Sequence, residues 1–593
     1  MKNNIINKWA AWLLTFSGLA ALPLTLSAAI TENTGTNITI NAGSGTAKNS
    51  VTYNNNGVAA TRPIYVSGSG WFTGTDITVS GTAATGNGRN GVTIETGGTV
   101  SLTDSAITTT LYGVTASGTS TAILNNVTVS TNVTSGHGIN LATSSALTMI
   151  GGAITTDATG ATGINLSGAS IGTLSNVNIT TQNGTGINLN TSASATVTSC
   201  TLTSIASVGM LLSNASSLIA TDLTIRSYSR GLTARSGATA NLTGVNILTE
   251  SINGWALRSE NTGVITVSGG TIRTLGVDGR GLAAAGGGTI YASDLVIETI
   301  GNGANGLDLG YDYALPGGRI FGDNLTVTVS GADAHGVNFT TSGTVELMNS
   351  SLIVSGENNH GVNMGRVNSN TGDYRVEIHG GSVESAQGGG IAINVFLPRA
   401  DGVYGAAADI AAGGIYEVLI DSGATVTGAA ALAVGSIFTG TDAGGDLVDV
   451  DKLTVATVTV SGSSTLTGDV NIRDTAAVVL TMSNRSTLTG DLTTSGAATL
   501  NMTLNHSTLT GLSTVSDSGI INLSLTNDST WKLTGKSKLT TLRGANGALI
   551  TIANVEGGDL TVSGGISGQA ALNLTLGNGV KGQKEIHVIV DES

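Results

Sequence analysis

The stretch HGINLATSSALTMIGGAITT, His137–Thr156, contains a tetrapeptide that returns twice. Gly-Ile-Asn-Leu stands at Gly138–Leu141, Gly163–Leu166 and Gly186–Leu189. Its surroundings return with it. In the second copy, GINLSGASIGTLSNVNITTQN, Ile164 and Leu166 alternate with polar residues. Ile171 and Leu174 follow a Ser/Gly/Ala turn, and Val177 and Ile179 then alternate with asparagines. Alternation with a period of two marks strands with one buried face. The runs are too short for helices and are punctuated by Gly, Ser, Asn and Thr. Each period reads as three short strands, each ending at a corner.

Gly followed by an apolar residue marks the same point at Gly91, Gly113, Gly209, Gly231, Gly254, Gly281, Gly306, Gly336 and Gly361. The steps fall mostly in the range of about 20–30 residues expected of a solenoid. A single coil cannot bury its inward face. Stacked coils can, because equivalent residues line up ~4.8 Å apart. The fold class that follows is all-β: a right-handed parallel β-helix with three short strands per coil of about 22–25 residues. The handedness rests on analogy. At ~23 residues and ~4.8 Å per coil, the rod from Ile30 onward is roughly 115 Å long. The marker glycine is expected at a tight corner that needs a permissive backbone.

Composition agrees with this reading. Charged residues are 10% of the 593, Gly contributes 86 and Pro only 4, yet 40% are hydrophobic. Disordered chains lack that apolar content. A net charge of −14 without a basic stripe excludes a nucleic-acid binder. Residues 1–29 read as a signal peptide: Lys2 and Lys8, an apolar run from Trp9 to Leu26, and small residues before a cut between Ala29 and Ile30. Cys200 alternates with apolar neighbours and is expected to be a small buried side chain. The chain divides into the leader 1–29, an N-terminal cap with first coils 30–90, regular coils 91–396, a loop insertion with irregular coils 397–457, and a C-terminal section 458–593. In that last section STLTG recurs at Ser464–Gly468, Ser486–Gly490 and Ser507–Gly511, followed by STWKLTG at Ser529–Gly535.

Few residues point to chemistry. Asp442, Asp446, Asp449 and Asp451 are an acidic group that a solvated loop explains and that also suits Ca²⁺. Arg375, Glu377 and His379 alternate along one strand face, as an outward charged ladder would. His137, His335 and His360 each precede a marker Gly, and the last two are expected to stack at one corner. No nucleophile elbow, phosphate loop or zinc spacing is found. The expectation is no catalytic residue, no metal and no cofactor. The candidate binding residues are Arg399, Asp401 and Tyr404, in the insertion LPRADGVYGAAADIAAGGI, Leu397–Ile415.

The coils around HGVNFTTSGTVELMNSSLIVSG, His335–Gly356, with STWKLTGKSKLTTL, Ser529–Leu542, resemble the passenger of pertactin-like autotransporters, which are bacterial surface proteins. Trp531 and Gly535 match the Trp-containing coil near the C-terminal end of such passengers, and GQKEIHVIV, Gly582–Val590, resembles the strand that closes them. The resemblance implies a non-catalytic adhesin or interaction rod exported through the periplasm of a Gram-negative bacterium to the cell surface or beyond. Its implied partners are a host-cell or matrix component, or neighbouring cells by self-association. Trp531 and Gly535 would mark an autochaperone-like folding seed. It also implies an outer-membrane translocator barrel. No such strands precede Ser593, so the expectation is a passenger without its translocator or a truncated, non-functional relic. The rival reading is a secreted polysaccharide-degrading β-helix enzyme, which needs paired carboxylates.

Overall fold

The computed structural model describes residues 30–590, except 34–36, 311–316, 366–372, 387–389, 396–402, 407–414, 436, 442–446, 452–453, 546, 553–559, 569–572 and 577–587. The chain is an all-β right-handed solenoid of about 19 turns. Three parallel sheets run its length. The strand after the marker glycine builds sheet 1, as in Ile139–Leu141, Ile164–Leu166 and Ile187–Leu189. The next builds sheet 2, as in Ile171–Ser175 and Ser194–Thr198, and the last builds sheet 3, as in Asn178–Asn183 and Thr201–Ser204.

The alternation in the sequence becomes a column in space. Ile139, Ile164, Ile187, Met210, Leu232 and Leu257 are successive register partners in sheet 1, and each is fully buried. Each such side chain contributes about 1.5–3 kcal/mol on leaving water. The three GINL copies are therefore three rungs of one ladder. Their asparagines form a second ladder on the outward side: Asn165 Nδ2 donates to Asn140 Oδ1 and Asn188 Nδ2 to Asn165 Oδ1, each at 2.7 Å. The STLTG section continues the design in sheet 3, where Leu466, Leu488, Leu509, Trp531 and Ile550 are successive partners.

The reason for the marker glycine differs from the expected one. Gly138, Gly163 and Gly186 are not among the residues with positive φ. What they lack is room. A Cβ on Gly138 would lie 2.6 Å from the carbonyl oxygen of Gly163, and one on Gly163 2.5 Å from that of Gly186. Inward side chains of sheet 3, Ile154 and Ile179, crowd the same points. The register also corrects one marker. Arg230 pairs with Trp255, which puts Ala256, and not Gly254, level with Gly231.

Left-handed backbone is found at other points of the coil, among them the corner between sheets 2 and 3. Asp104, Asn126, Asn176, Ser199, Asp222, Asp294 and Asn324 sit there with φ of 47–56°. Asx residues tolerate this region because their side chains bond locally. They also bond across coils, Asn126 Nδ2 to Asp104 Oδ1 and Asn324 Nδ2 to Asp294 Oδ1, both at 2.7 Å. One such residue turns the chain so tightly that the strand stays continuous through the corner, as Asn126 does in Thr121–Thr131 and Asp294 in Thr289–Thr299. Cys200 sits just after this corner, 1% exposed, as expected. The Val177 N–H donates to its sulfur at 3.4 Å, and the thiol donates to the Thr198 carbonyl at 3.3 Å. Ser105 and Ser350 make the same pair of bonds in their own coils.

At the N-terminal end, Ile30–Asn33 folds back antiparallel on Asn37–Ile40. Val403–Ala406, Ile437–Thr441 and Leu447–Asp451 form a small separate sheet. Between them the rod resumes: Ile415–Asp421 and Thr425–Val434 pair in register with Tyr374–His379 and Ser382–Ser385.

Candidate interaction site

The outward side chains of sheet 2 are mostly small and hydroxylic. Along its central outward column stand Thr148, Thr173, Thr196, Ile219, Asn241 and Thr266. The column then changes character. Thr266 is followed by Tyr291, Phe321, Glu346, Glu377 and Leu419 before Thr459 restores the pattern. The flanking columns change over the same coils, with Arg319, Arg375 and Glu417 on one side and Asp323, Met348, His379 and Asp421 on the other. A face that elsewhere is mostly hydroxylic, with isolated exposed side chains such as Trp71, Ile171 and Ile219, thus carries one continuous band of aromatic and charged residues.

The band has two halves. In the first, the Tyr291 and Phe321 rings stack 5.1 Å apart at 11°. A groove of about 220 Å³ runs beside them, with Ser293, Asp323 and Met348 opposite and Glu346 beyond Phe321. Val267, Ala292 and Gly322 form its floor. Tyr291 is 46% and Met348 40% exposed. The Asn349 amide approaches Asp323 at 3.4 Å, while Glu346 has no ion-pair partner among the described residues.

The second half is a charge network. Arg375 Nε donates to Glu377 at 2.5 Å and its Nη1 to Glu417 in the next coil at 2.7 Å. His379 contacts Asp421 through Nδ1 at 2.7 Å and Glu377 through Nε2 at 3.2 Å. Partial burial alone would lower the His379 pKa, but hydrogen bonds and the charges of Asp421 and Glu377 outweigh it and raise the pKa above the usual value. The bond to Glu377 likewise raises the Arg375 pKa. The expected ladder of Arg375, Glu377 and His379 is present, and it is one edge of a larger surface.

The other expected residues separate. Arg399, Asp401 and Ala29 lie outside the described residues, as do Asp442 and Asp446. Tyr404 falls on Val403–Ala406, Asp449 and Asp451 fall on Leu447–Asp451, and Ile30 opens the first strand. Of the segment resembling a closing strand, Val588–Val590 pairs parallel with Leu560–Val562. Trp531 is fully buried, and its Nε1 donates to the Gly511 carbonyl at 3.0 Å. A Cβ on Gly535 would meet only Leu512, at 3.1 Å or more.

His335 and His360 do stack at one corner, rings 5.0 Å apart at 4°. The His360 N–H donates to His335 Nδ1 at 3.2 Å, so that nitrogen carries no proton. Burial drives the His360 pKa down to about 4. His137 stacks on Tyr112, and its pKa is lowered for the same reason. Among the described residues no group of three His, Cys, Asp or Glu is placed to hold a metal ion.

One polar cluster escaped the sequence reading. On the outward side of sheet 1, the guanidinium groups of Arg258, Arg230 and Arg280 lie 4.2, 4.8 and 5.4 Å from the Trp255 ring centre. Arg258 pairs with Glu260, and both side chains are 7% exposed. Burial brings the Arg258 pKa down to about 9 against the pull of Glu260, so the group stays charged at neutral pH. Fully buried Asp308 faces Arg280 at 3.3 Å and accepts from Asn305 and Asn338. These groups answer one another and are shielded from solvent, which fits a structural role. The signal was present as Arg, Trp, Arg and Asn immediately before successive marker positions.

A family model for right-handed β-helix regions matches residues 112–276. A comparison with curated proteins finds no match. Among solved structures, the cryo-EM structure of the Vag8–C1 inhibitor complex contains a chain 18% identical to this one, with a TM-score of 0.51. The match covers 79% of this chain and 100% of that chain. The comparisons and the coordinates meet on architecture: the chain is a right-handed parallel β-helix.

Proposed function

We propose that the chain is a non-catalytic interaction rod, an adhesin of the pertactin-like autotransporter passenger type. In this reading the rod holds the Tyr291–Asp421 band toward a host-cell or matrix component or toward neighbouring cells. The observation that carries the reading is the unbroken run of aromatic and charged outward residues through consecutive coils of sheet 2. A solenoid needs inward residues to fold, while outward ones are free to serve contact. Glu377 is engaged by Arg375 and His379, which suits a recognition surface better than an acid–base pair. The fold likeness to a chain in a complex with the protein C1 inhibitor supports a protein partner. Export through a leader cut at Ala29–Ile30, and folding from a seed at Trp531 and Gly535, belong to the same proposal.

In sequence, the insertion with Arg399, Asp401 and Tyr404 lies between the strand Ile391–Val395 and the strand Ile415–Asp421, which carries Glu417 and Asp421. Loop and band are therefore proposed to act together. The test is binding of the purified chain, starting at Ile30, to cultured cells and matrix-coated surfaces. Deleting residues 397–414 is expected to weaken binding and leave the melting temperature unchanged. No binding of the intact chain, or cleavage products from a polysaccharide panel, would overturn the reading.

A further inference from the structure

The groove beside Tyr291 and Phe321 differs from the rest of the band because its charge is unbalanced. In the coils of Arg375, Glu377, Glu417 and Asp421 each have Arg375 or His379 as a basic neighbour. In the groove, Asp323 has only an amide, and Glu346 has no ion-pair partner among the described residues. Arg319 stands on the far side of the aromatic column, two residues from Phe321 in the opposite direction to Asp323. The groove therefore combines an aromatic wall, two carboxylates and a floor of small or apolar residues. Aromatic faces attract cations through the ring quadrupole, and nearby carboxylates add direct charge attraction. Its volume of about 220 Å³ suits one side chain rather than a folded surface.

Resting on the interaction-rod reading, we propose that this groove is the specificity subsite of the band and receives an arginine or lysine side chain from a basic segment of a protein partner. The cationic head lies between the ring wall and Asp323 and Glu346. The aliphatic stem covers Met348. The adjoining ladder of Arg375, Glu377 and His379, already neutralised, flanks the bound segment without repelling it. The net charge of −14 draws basic segments toward the rod in general, and the groove selects where they dock.

The test titrates the full chain with a blocked tetra-arginine peptide and, separately, a tetra-glutamate peptide, by calorimetry at low and high salt. Only the basic peptide is expected to bind. Phe321→Ala with Tyr291→Ala should weaken binding about tenfold. Glu346→Gln should weaken it about threefold and flatten the salt dependence. Thr173→Ala, on the same column in a distant coil, should change nothing. Melting curves matching the unmodified chain show that these variants are folded. Peptide binding indifferent to both groove variants would reveal general attraction to an acidic rod and overturn the proposal. So would a neutral oligosaccharide that displaces the peptide. Cell binding that survives the groove variants would sink this subsite while leaving the rod reading standing. Peptide held in the groove by a chain that binds no cell would do the reverse.

Discussion

The coils from Ile139 to Ser204 and those from Tyr291 to Asp421 share one interior and differ outside. In both, sheet 1 carries the same buried column, continued through Leu307, Val337, Val362 and Ile393. Outside, the first set shows mainly Thr, Ser and Asn with Ile150 and Ile171 among them, and the second shows rings and charges. Stability therefore resides in a pattern that every coil must repeat, and recognition in departures that only a few coils make. The family model ends at residue 276, before the departures begin. That is consistent with a match driven by interior periodicity.

The comparison predicts that interior changes cost stability and outward changes do not. The largest expected effect is at Trp531. Trp531→Ala removes a fully buried ring from a column of leucines and should destabilise by about 3–5 kcal/mol in urea unfolding. If that coil is also the folding seed, limited proteolysis of the unmodified chain should leave a resistant C-terminal core. A resistant N-terminal core instead would break the assignment.

Next comes acid. His360 is neutral in the fold with a pKa of about 4, against 6.5 for the free side chain. Between these values the unfolded chain binds the extra proton, so stability falls as pH drops through that window, by roughly 3 kcal/mol in full. His360→Asn should remove much of this acid sensitivity, measured as the denaturation midpoint against pH. His379 has the opposite sign. Its pKa is raised in the fold, so its contribution is full below the unfolded pKa and fades as pH rises through the folded one.

Smaller effects sharpen the contrast. Arg375→Ala breaks two exposed ion pairs and should cost no more than about 1 kcal/mol, less in high salt. A much larger loss would mean that the band supports the fold. Cys200→Ser places a hydroxyl where Ser105 and Ser350 already make the same two bonds, and the melting temperature should move little.

The interior was legible in the sequence because burial imposes a period, and GINL repeats it nearly unchanged. The reason for the glycine was not legible. A residue needed for positive φ and one needed for lack of a Cβ look alike, and only the 2.5 Å that would separate a Cβ on Gly163 from the Gly186 carbonyl oxygen tells them apart. The Gly254 marker slipped because Ala256 occupies the true position, two residues on. The charged trio at Arg375 was readable because its members alternate within one strand. Tyr291 and Phe321 were not, because they lie 30 positions apart in sequence, and only the register makes them neighbours.

The inter-coil hydrogen bonds carry a mechanical consequence. They run along the rod axis, from each coil to the next, as in the unbroken pairing from Ile139 through Ile164 to Ile187. A load applied between the two ends therefore meets them one coil at a time, in the geometry of peeling. Each coil of ~25 residues would release ~85 Å of chain. A rod tethered at one end and held by a partner at the Tyr291–Asp421 band would then behave as a fuse, the coils between tether and contact lengthening in steps before the contact breaks. Force spectroscopy on the intact chain should record a regular sawtooth with that spacing.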